Sequence, residues 1–369
     1  MTIKLDELRW AGLLHPSNRQ SDASQFARLH AGKSVLVTGA GGSIGSAVAQ
    51  AVYAFGPRTL VLFDSSEQNL FHIHSRLSSR PGPEKHVPIL GSVADERCLC
   101  DIFDRHTPEI VYHAAALKHV PLGEMNPFAV VQSNVFSTST LAITARRFRA
   151  TRVIMISTDK AVNPRSIMGA SKRLAEIVLL ALGDNITRMI SIRLGNVLGS
   201  EGSVLPLFLE QIERGGPITI THPGVERYFM TMEDTVNCIL SAASSNRLNN
   251  AIFVPVMGEP IKIVDLARYL IEQASDRSTP ITYTGLRPGD KLHEEFVSDR
   301  ETMSNDQVDG LHQIDSPHLS EAELAGGLAE LNAAVCELNL AKLLAALTRL
   351  VPEYQPSAYL RDQVALTAT

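Results

Sequence analysis

With 369 residues, 44% of them hydrophobic and 20% charged, the chain has enough material for one large or two ordinary globular domains with a full core. A formal net charge of −5 excludes a nucleic-acid surface dominating the whole protein, while leaving room for a local anion pocket lined by a few Arg and Lys. Four scattered cysteines, Cys98, Cys100, Cys238 and Cys336, make neither a disulfide framework nor a paired zinc motif and point to a reducing compartment, and the histidines lack an H-E-x-x-H arrangement, so no metal is expected.

Residues 1–32 carry neither a signal-peptide core nor a sheet pattern and read as an N-terminal arm. No apolar run anywhere approaches the roughly 18 residues a membrane helix needs, so a soluble, cytoplasmic form is expected. The first strong pattern is "KSVLVTGAGGSIGSAVAQAVYAFG", a β-branched run that meets glycines and then a helical period. Strands follow at "RTLVLFD" (58–64), "HVPIL", "EIVYHAA" (109–115), "TRVIMIST" (151–158) and "ITRMISIRL" (186–194). Between them lie helices at "EQNLFHIHSRLSS", "DERCLCDIFDRH", near 126–148 and near 167–182. Continuously apolar strands alternating with helices predict an α/β, Rossmann-type doubly wound parallel sheet over 33–195, with right-handed crossovers.

After Asn196 the rhythm breaks into Gly and Pro punctuation, "GSEGSVLP", "GGP", "THPG" and "LRPGD", which predicts a smaller loop-rich lobe over 196–310. Helical stretches near 233–245 and 263–275 are expected to return to the sheet. Residues 311–369 read as C-terminal helices, with Leu, Ala and Glu concentrated in 318–350.

"TGAGGSIG" spaces Gly39, Gly42 and Gly45 three apart between a strand and a helix, where the backbone can approach a pyrophosphate and the helix N-terminal amides can face it. Gly41, Ser43 and Ile44 complete the turn. Asp64 closes the second strand 25 residues after Gly39, near where a carboxylate accepts bonds from ribose hydroxyls and repels a 2′-phosphate; NAD is therefore favoured over NADP. "LGSVADE" (90–96) offers Ser92 where an acidic residue would meet adenine, so contacts there fall to the backbone at Val93, and Ala114 and Ala115 close the fourth strand beside the cofactor.

Five segments carry a more specific likeness: "HAAALKHVPLGEMNPFAVVQSNV" (113–135), "STDKAVNPRSIMGASK" (157–172), "RLGNVLGSEGSVLPLF" (193–208), "ITITHPGVERYFMT" (218–231) and "YTGLRPGDKLHEEF" (283–296). Over roughly residues 25–310 the chain resembles the polysaccharide-biosynthesis family of extended short-chain dehydrogenases, the UDP-N-acetylglucosamine 4,6-dehydratases. It most resembles the cytoplasmic catalytic part of larger membrane-anchored members, which also place Met where a tyrosine is usual, and reads as a free-standing form without their membrane region. The resemblance implies NAD-dependent oxidation at C4 of a UDP-sugar, loss of water across C5 and C6, and return of the hydride to C6.

By that resemblance Asp159 is the acid for the C6 oxygen and Lys160 the base at C5, a role for which lysine needs its pKa brought down, with Lys172 as the neighbouring cation. Lys172 follows Met168 by four residues on one helix face and would hold the nicotinamide ribose. Thr158 would bond the C4 oxygen. Met168 cannot titrate and only shapes the pocket, so the C4 hydroxyl proton is assigned to Asp159, directly or through water. Asn196, Arg227 and Arg287 are placed near the diphosphate or uridine, with Val204 and Thr219 in the base pocket. Lys118 and His119 approach the sugar or nicotinamide, and Asn134 braces a helix. A homo-oligomer is expected through the helices near 126–148 and 167–182. Three alternatives stay open: a UDP-sugar 4-epimerase or 4-ketoreductase, a 5,6-dehydratase, and a nucleotide-binding protein that has lost catalysis.

Overall fold

The computed structural model describes residues 22–80, 86–245, 250–274, 279–317 and 319–367. Its first half runs α1 (Ala23–His30), β1 (Ser34–Thr38), α2 (Ser43–Ala54), β2 (Thr59–Asp64), α3 (Glu67–Ser78), β3 (His86–Leu90), α4 (Glu96–His106), β4 (Ile110–His113), α5 (Val120–Met125), α6 (Pro127–Val131), α7 (Ser137–Arg147), β5 (Arg152–Thr158), α8 (Ile167–Leu182) and β6 (Arg188–Leu194). There follow β7 (Asn196–Val197), α9 (Val204–Glu213), β8 (Ile218–Ile220), β9 (Glu226–Arg227), β10 (Phe229–Met230), α10 (Met232–Ser244), β11 (Ala251–Pro255), β12 (Ile261–Lys262), α11 (Ile263–Gln273) and β13 (Ile281–Tyr283). The chain closes with β14 (Thr302–Val308), β15 (Leu311–Asp315), α12 (Glu321–Cys336), α13 (Leu340–Leu350) and α14 (Ala358–Thr367).

The main sheet has the order β14-β15-β11-β6-β5-β4-β1-β2-β3, parallel from β3 to β11, with β15 and β14 added antiparallel. The inner strands are apolar on both faces because helices cover both; Val35, Leu36 and Val37 of β1 are fully buried, each worth about 1.5–3 kcal/mol in area removed from water. β3 is the edge strand and carries Pro88, whose missing N–H an edge tolerates. One face packs α4, α7, α8 and the C-terminal helices in a single cluster, and the other packs α1, α2, α3 and α10.

Two differences from the sequence reading bear on the site. Helix α11 does not return to the sheet: Leu266, Ala267 and Leu270 pack with Leu205 and Phe208 of α9 in the lobe's own core, while α10 does lie on the sheet. Nor is α8 free to meet a second copy. Every residue of α8 except Ala181 is buried, because α12 and α13 cover it with Leu331, Leu343 and Leu347. The dimerisation expected through 167–182 therefore has its face occupied by the chain's own C-terminus. The helix expected over 126–148 is also interrupted, by a π-helical turn at Gln132–Phe136.

Candidate active site

The strand order reverses between β1 and β4, so a crevice opens at their carboxyl ends, the usual ligand position in such sheets. Gly39 turns the chain there with φ +62°, and a methyl group at Gly45 would stand 2.0 Å from the Gly39 carbonyl, so only glycine lets α2 start this close to the turn. No side chain caps α2 at Gly42, which leaves its first amides available to an anion. Asp64 serves this turn as well as facing the crevice: Oδ2 accepts from Gly41 N (2.8 Å) and Oδ1 from Ser66 N (2.9 Å), and a carboxylate has further lone pairs to offer a ribose. Ile44 packs on the core side, the Val93 side chain is buried in the opposite cluster, and Ala114 N and Ala115 N both bond to Thr38.

At the end of β5 the chain makes a single 3₁₀ turn, Asp159–Ala161. Asp159 is fully buried, and its Oδ1 accepts from the Thr158 hydroxyl (2.8 Å) and from Lys160 Nζ (2.9 Å). Its Oδ2 is buried with no hydrogen-bond partner among the described residues. Lys160 Nζ also donates to Asn196 Oδ1 at 3.1 Å. Helix α8 seats itself against this turn through Gly169, where a methyl group would stand 2.2 Å from the Lys160 carbonyl oxygen.

The electrostatics differ from the sequence reading. Burial pulls the Lys160 ammonium down, but Asp159 and Glu294 outweigh it and hold the lysine above its usual value. The cation beside it is Arg227, whereas the sequence points to Lys172. It is Lys172 that burial pulls down, to about 8 against the opposing pull of Glu176, and its ammonium makes no hydrogen bond or ion pair among the described residues. His113, buried between Thr38 Oγ1 (2.7 Å) and Thr138 Oγ1 (3.0 Å), is pushed down to about 3 by burial and by Lys172, and so is neutral. Met168 is buried in the same apolar cluster as Ile167.

In the lobe, Arg227 is largely committed to protein: it donates to the carbonyls of Glu226 (2.7 Å), Leu292 (3.1 Å) and Lys291 (2.8 Å). Arg287 is exposed, paired with Asp290 at 2.9 Å, on the wall of a cavity of about 1000 Å³ shared with Asn163, Arg165 and Lys291. Val204 starts α9, and Thr219 of β8 exchanges two hydrogen bonds with Gln211 of the same helix, so both belong to the α9–β8 unit. Lys118 Nζ donates to Glu201 O (2.6 Å), His119 packs against Gly202, and Ser43 Oγ accepts from Glu201 N (3.0 Å). The 199–203 loop thus spans from the glycine turn to the loop after β4. Asn134 braces that loop, exchanging bonds with Leu117 and donating to Ser171.

Two residues the sequence reading passed over complete the pocket. Glu294 is buried beside the Asp159–Lys160 pair, and Lys291 donates to Val162 O at 2.6 Å. Their signal was their place in the segment "YTGLRPGDKLHEEF", one of the five that carry the family likeness.

The description "Polysaccharide biosynthesis protein" matches residues 35–316, from β1 to the end of β15. The chain belongs to the polysaccharide biosynthesis protein family. Relatives within the range of this family include the probable polysaccharide biosynthesis protein EpsC of Bacillus subtilis, 41% identical over 79% of this chain, and the capsular polysaccharide biosynthesis protein CapD of Staphylococcus aureus, 39% identical over 82%. The match takes in 49% and 51% of those two proteins, so the chain spans about half their length. A UDP-glucose 4-epimerase of Rickettsia typhi is 31% identical over 76% of the chain and 82% of its own. Among solved structures, Pen from Bacillus thuringiensis superposes with a TM-score of 0.72 at 27% identity, covering 78% of this chain and 90% of that one. A dTDP-glucose 4,6-dehydratase of Streptomyces venezuelae, DesIV with NAD and TYD bound, has a TM-score of 0.64 at 19% identity over 81% of this chain and 98% of its own, a likeness of fold. The family member described here therefore has the extended short-chain dehydrogenase fold. Among its described residues no helix is long and apolar enough to cross a membrane.

Proposed function

We propose that the chain is a nicotinamide-dinucleotide-dependent nucleotide-sugar 4,6-dehydratase, with NAD as cofactor and a UDP-sugar, UDP-N-acetylglucosamine foremost, as substrate. The observation that carries this reading is the Asp159–Lys160 pair at the carboxyl end of β5: one carboxylate oxygen fixed by Thr158 and Lys160, the other buried without a hydrogen-bond partner among the described residues.

The residues present fit a dinucleotide. The uncapped start of α2 suits a pyrophosphate, Asp64 has lone pairs for a ribose, and Lys172 is a buried ammonium without a hydrogen-bond partner among the described residues, which ribose hydroxyls would supply. When bound, a nicotinamide supplies the reversible hydride acceptor that makes a C4 ketone, which acidifies the C5 proton.

The chain's own residues then divide the elimination. Moving the shared proton from Lys160 Nζ to Asp159 turns the ion pair into an amine base and a carboxylic acid, the two species that removal of the C5 proton and departure of the C6 hydroxyl require. Thr158 orients the carboxyl through Oγ1, and Asn196 orients the amine through Oδ1. Met168 and the surrounding apolar cluster exclude water from one side without titrating.

A UDP-sugar is supported by the Rickettsia typhi relative, and a dehydration by the pair itself. Incubation of purified protein with UDP-N-acetylglucosamine and NAD, followed by mass spectrometry, should show a product lighter by one water. That relative also favours a second reading, 4-epimerisation: a product of unchanged mass with inverted C4 would select it and remove the first. Absence of any product would point to a binding protein.

A further inference from the structure

The 199–203 loop crosses from one rim of the crevice to the other and is fastened to both at a single residue. The sheet order reverses between β1 and β4, so the turn after β1 and the segment after β4 are the two rims. On the first rim Ser43, which opens α2, accepts from Glu201 N at 3.0 Å. On the second, Lys118 Nζ donates to Glu201 O at 2.6 Å. Both fastenings take the backbone of Glu201, and the residue is otherwise exposed. Gly199 and Gly202 bracket it with φ +72° and +65°, left-handed values that let so short a loop turn over and back. Gly202 lies so close to the His119 ring that a methyl group there would stand 2.5 Å from Cε1. The root of the loop is fixed, with Leu198 N bonded to Met230 O at 2.9 Å and Ser200 N to Val197 O at 3.3 Å.

We propose that residues 199–203 form a strap over the mouth of the crevice, and that its two bonds at Glu201 must break before a dinucleotide enters or leaves. The first fastening is on the binding surface itself: Ser43 sits at the start of α2, among the amides that suit a pyrophosphate. A hydroxyl that accepts still has its own proton to donate, so Ser43 can hold the strap and a phosphate oxygen together. The strap is short, exposed at its crest and pinned by two hydrogen bonds, so it opens locally while the sheet beneath stays intact. Its effect is kinetic. Opening limits passage in both directions, whereas a residue that only touches the ligand acts mainly on release.

The inference rests on reading the crevice as a dinucleotide site, and its test separates the two. Uptake of NADH by the full-length protein is followed by nucleotide fluorescence on rapid mixing, and release by chasing the loaded protein with excess NAD. Glu201→Pro removes the N–H that Ser43 accepts, and Gly202→Ala sets a methyl group against His119 at a left-handed φ. Each should speed uptake and release together by about two- to tenfold, the worth of one hydrogen bond, so that Kd changes less than either rate. Glu201→Gln keeps the backbone and should leave both rates in place. Unmoved rates in both strap variants, faster release alone, or an equal change in Glu201→Gln overturns the proposal. Wild-type protein that takes up no NADH removes the dinucleotide reading and the strap with it. Gated exchange in a protein that makes no dehydrated product keeps the strap and removes the dehydratase reading.

Discussion

Lys160 Nζ donates to Asp159 Oδ1 across 2.9 Å, and two residues adjacent in sequence thereby hold one proton between them at the end of a buried strand. Thr158 bonds the same oxygen, and Oδ2 stays buried without a hydrogen-bond partner among the described residues.

Asp159→Asn keeps the size and one acceptor of this side chain but cannot carry the proton. Turnover of UDP-N-acetylglucosamine should fall by about 10²–10⁴, the usual worth of a general acid. The C4 hydroxyl proton can reach this carboxyl only while it is a carboxylate, with Lys160 then releasing its own proton to solvent; by that route reduced nicotinamide should not accumulate either. Product mass and nicotinamide absorbance read the two steps; accumulation of reduced cofactor without dehydration would take the C4 step away from Asp159.

Gly169→Ala would bring a methyl group to 2.2 Å from the Lys160 carbonyl, and that atom belongs to the backbone of the site turn. Overpacking of this kind costs about 1–3 kcal/mol, and here it displaces the pair itself. Activity and thermal midpoint should both drop, while Gly216→Ala, where nothing stands within 4 Å, should change neither. Wild-type activity in Gly169→Ala would mean α8 does not set the turn.

Much of this site is legible in the chain itself. The continuously apolar strands, the TGAGGSIG turn and Asp64 announce the crevice because local geometry dictates them. Thr158, Asp159 and Lys160 are adjacent, so one turn delivers all three. What sequence spacing cannot carry is long-range charge: Glu294 and Arg227 come from a loop and from β9, 67 residues apart, and they, rather than Lys172, join burial and the adjacent Asp159 in the electrostatics at Lys160. The covering of α8 by α12 and α13 is equally invisible, since an apolar helix face reads the same whether its partner is a second copy or the same chain.

Acid should weaken the fold through the buried network of Arg193, Arg173, Glu176 and Glu301, which ties α8 to β6 and to the chain just before β14. Burial acts to raise Glu301, but hydrogen bonds and charge from Arg193, with Arg173, hold it at about 2 against an ordinary 4.5. A depressed carboxylate stabilises fully above 4.5, and that contribution, about 3 kcal/mol, is lost as pH falls from 4.5 to 2. Denaturant unfolding across that window should show the loss. Glu301→Gln should start about 3–5 kcal/mol less stable at neutral pH, with a flatter dependence on acid. An unchanged slope would show that other carboxylates govern it.

Lys172 gives a prediction of opposite sign with and without cofactor. Its ammonium is buried, lacks a partner among the described residues and is drawn to about 8 from 10.5 by burial, so the charged form costs the fold about 3 kcal/mol at neutral pH. That cost is relieved as pH rises from 8 towards 10.5, because the folded protein sheds the proton while the unfolded chain keeps it. Lys172→Met removes the charge and keeps the length, and should raise the thermal midpoint of the protein alone at pH 7 and abolish its rise with pH. The same change removes the donor proposed for the nicotinamide ribose, so the stabilisation that added NAD gives the wild type should shrink or vanish. A variant less stable than wild type without NAD would mean Lys172 already has a structural partner, and undiminished stabilisation by NAD would place the ribose elsewhere.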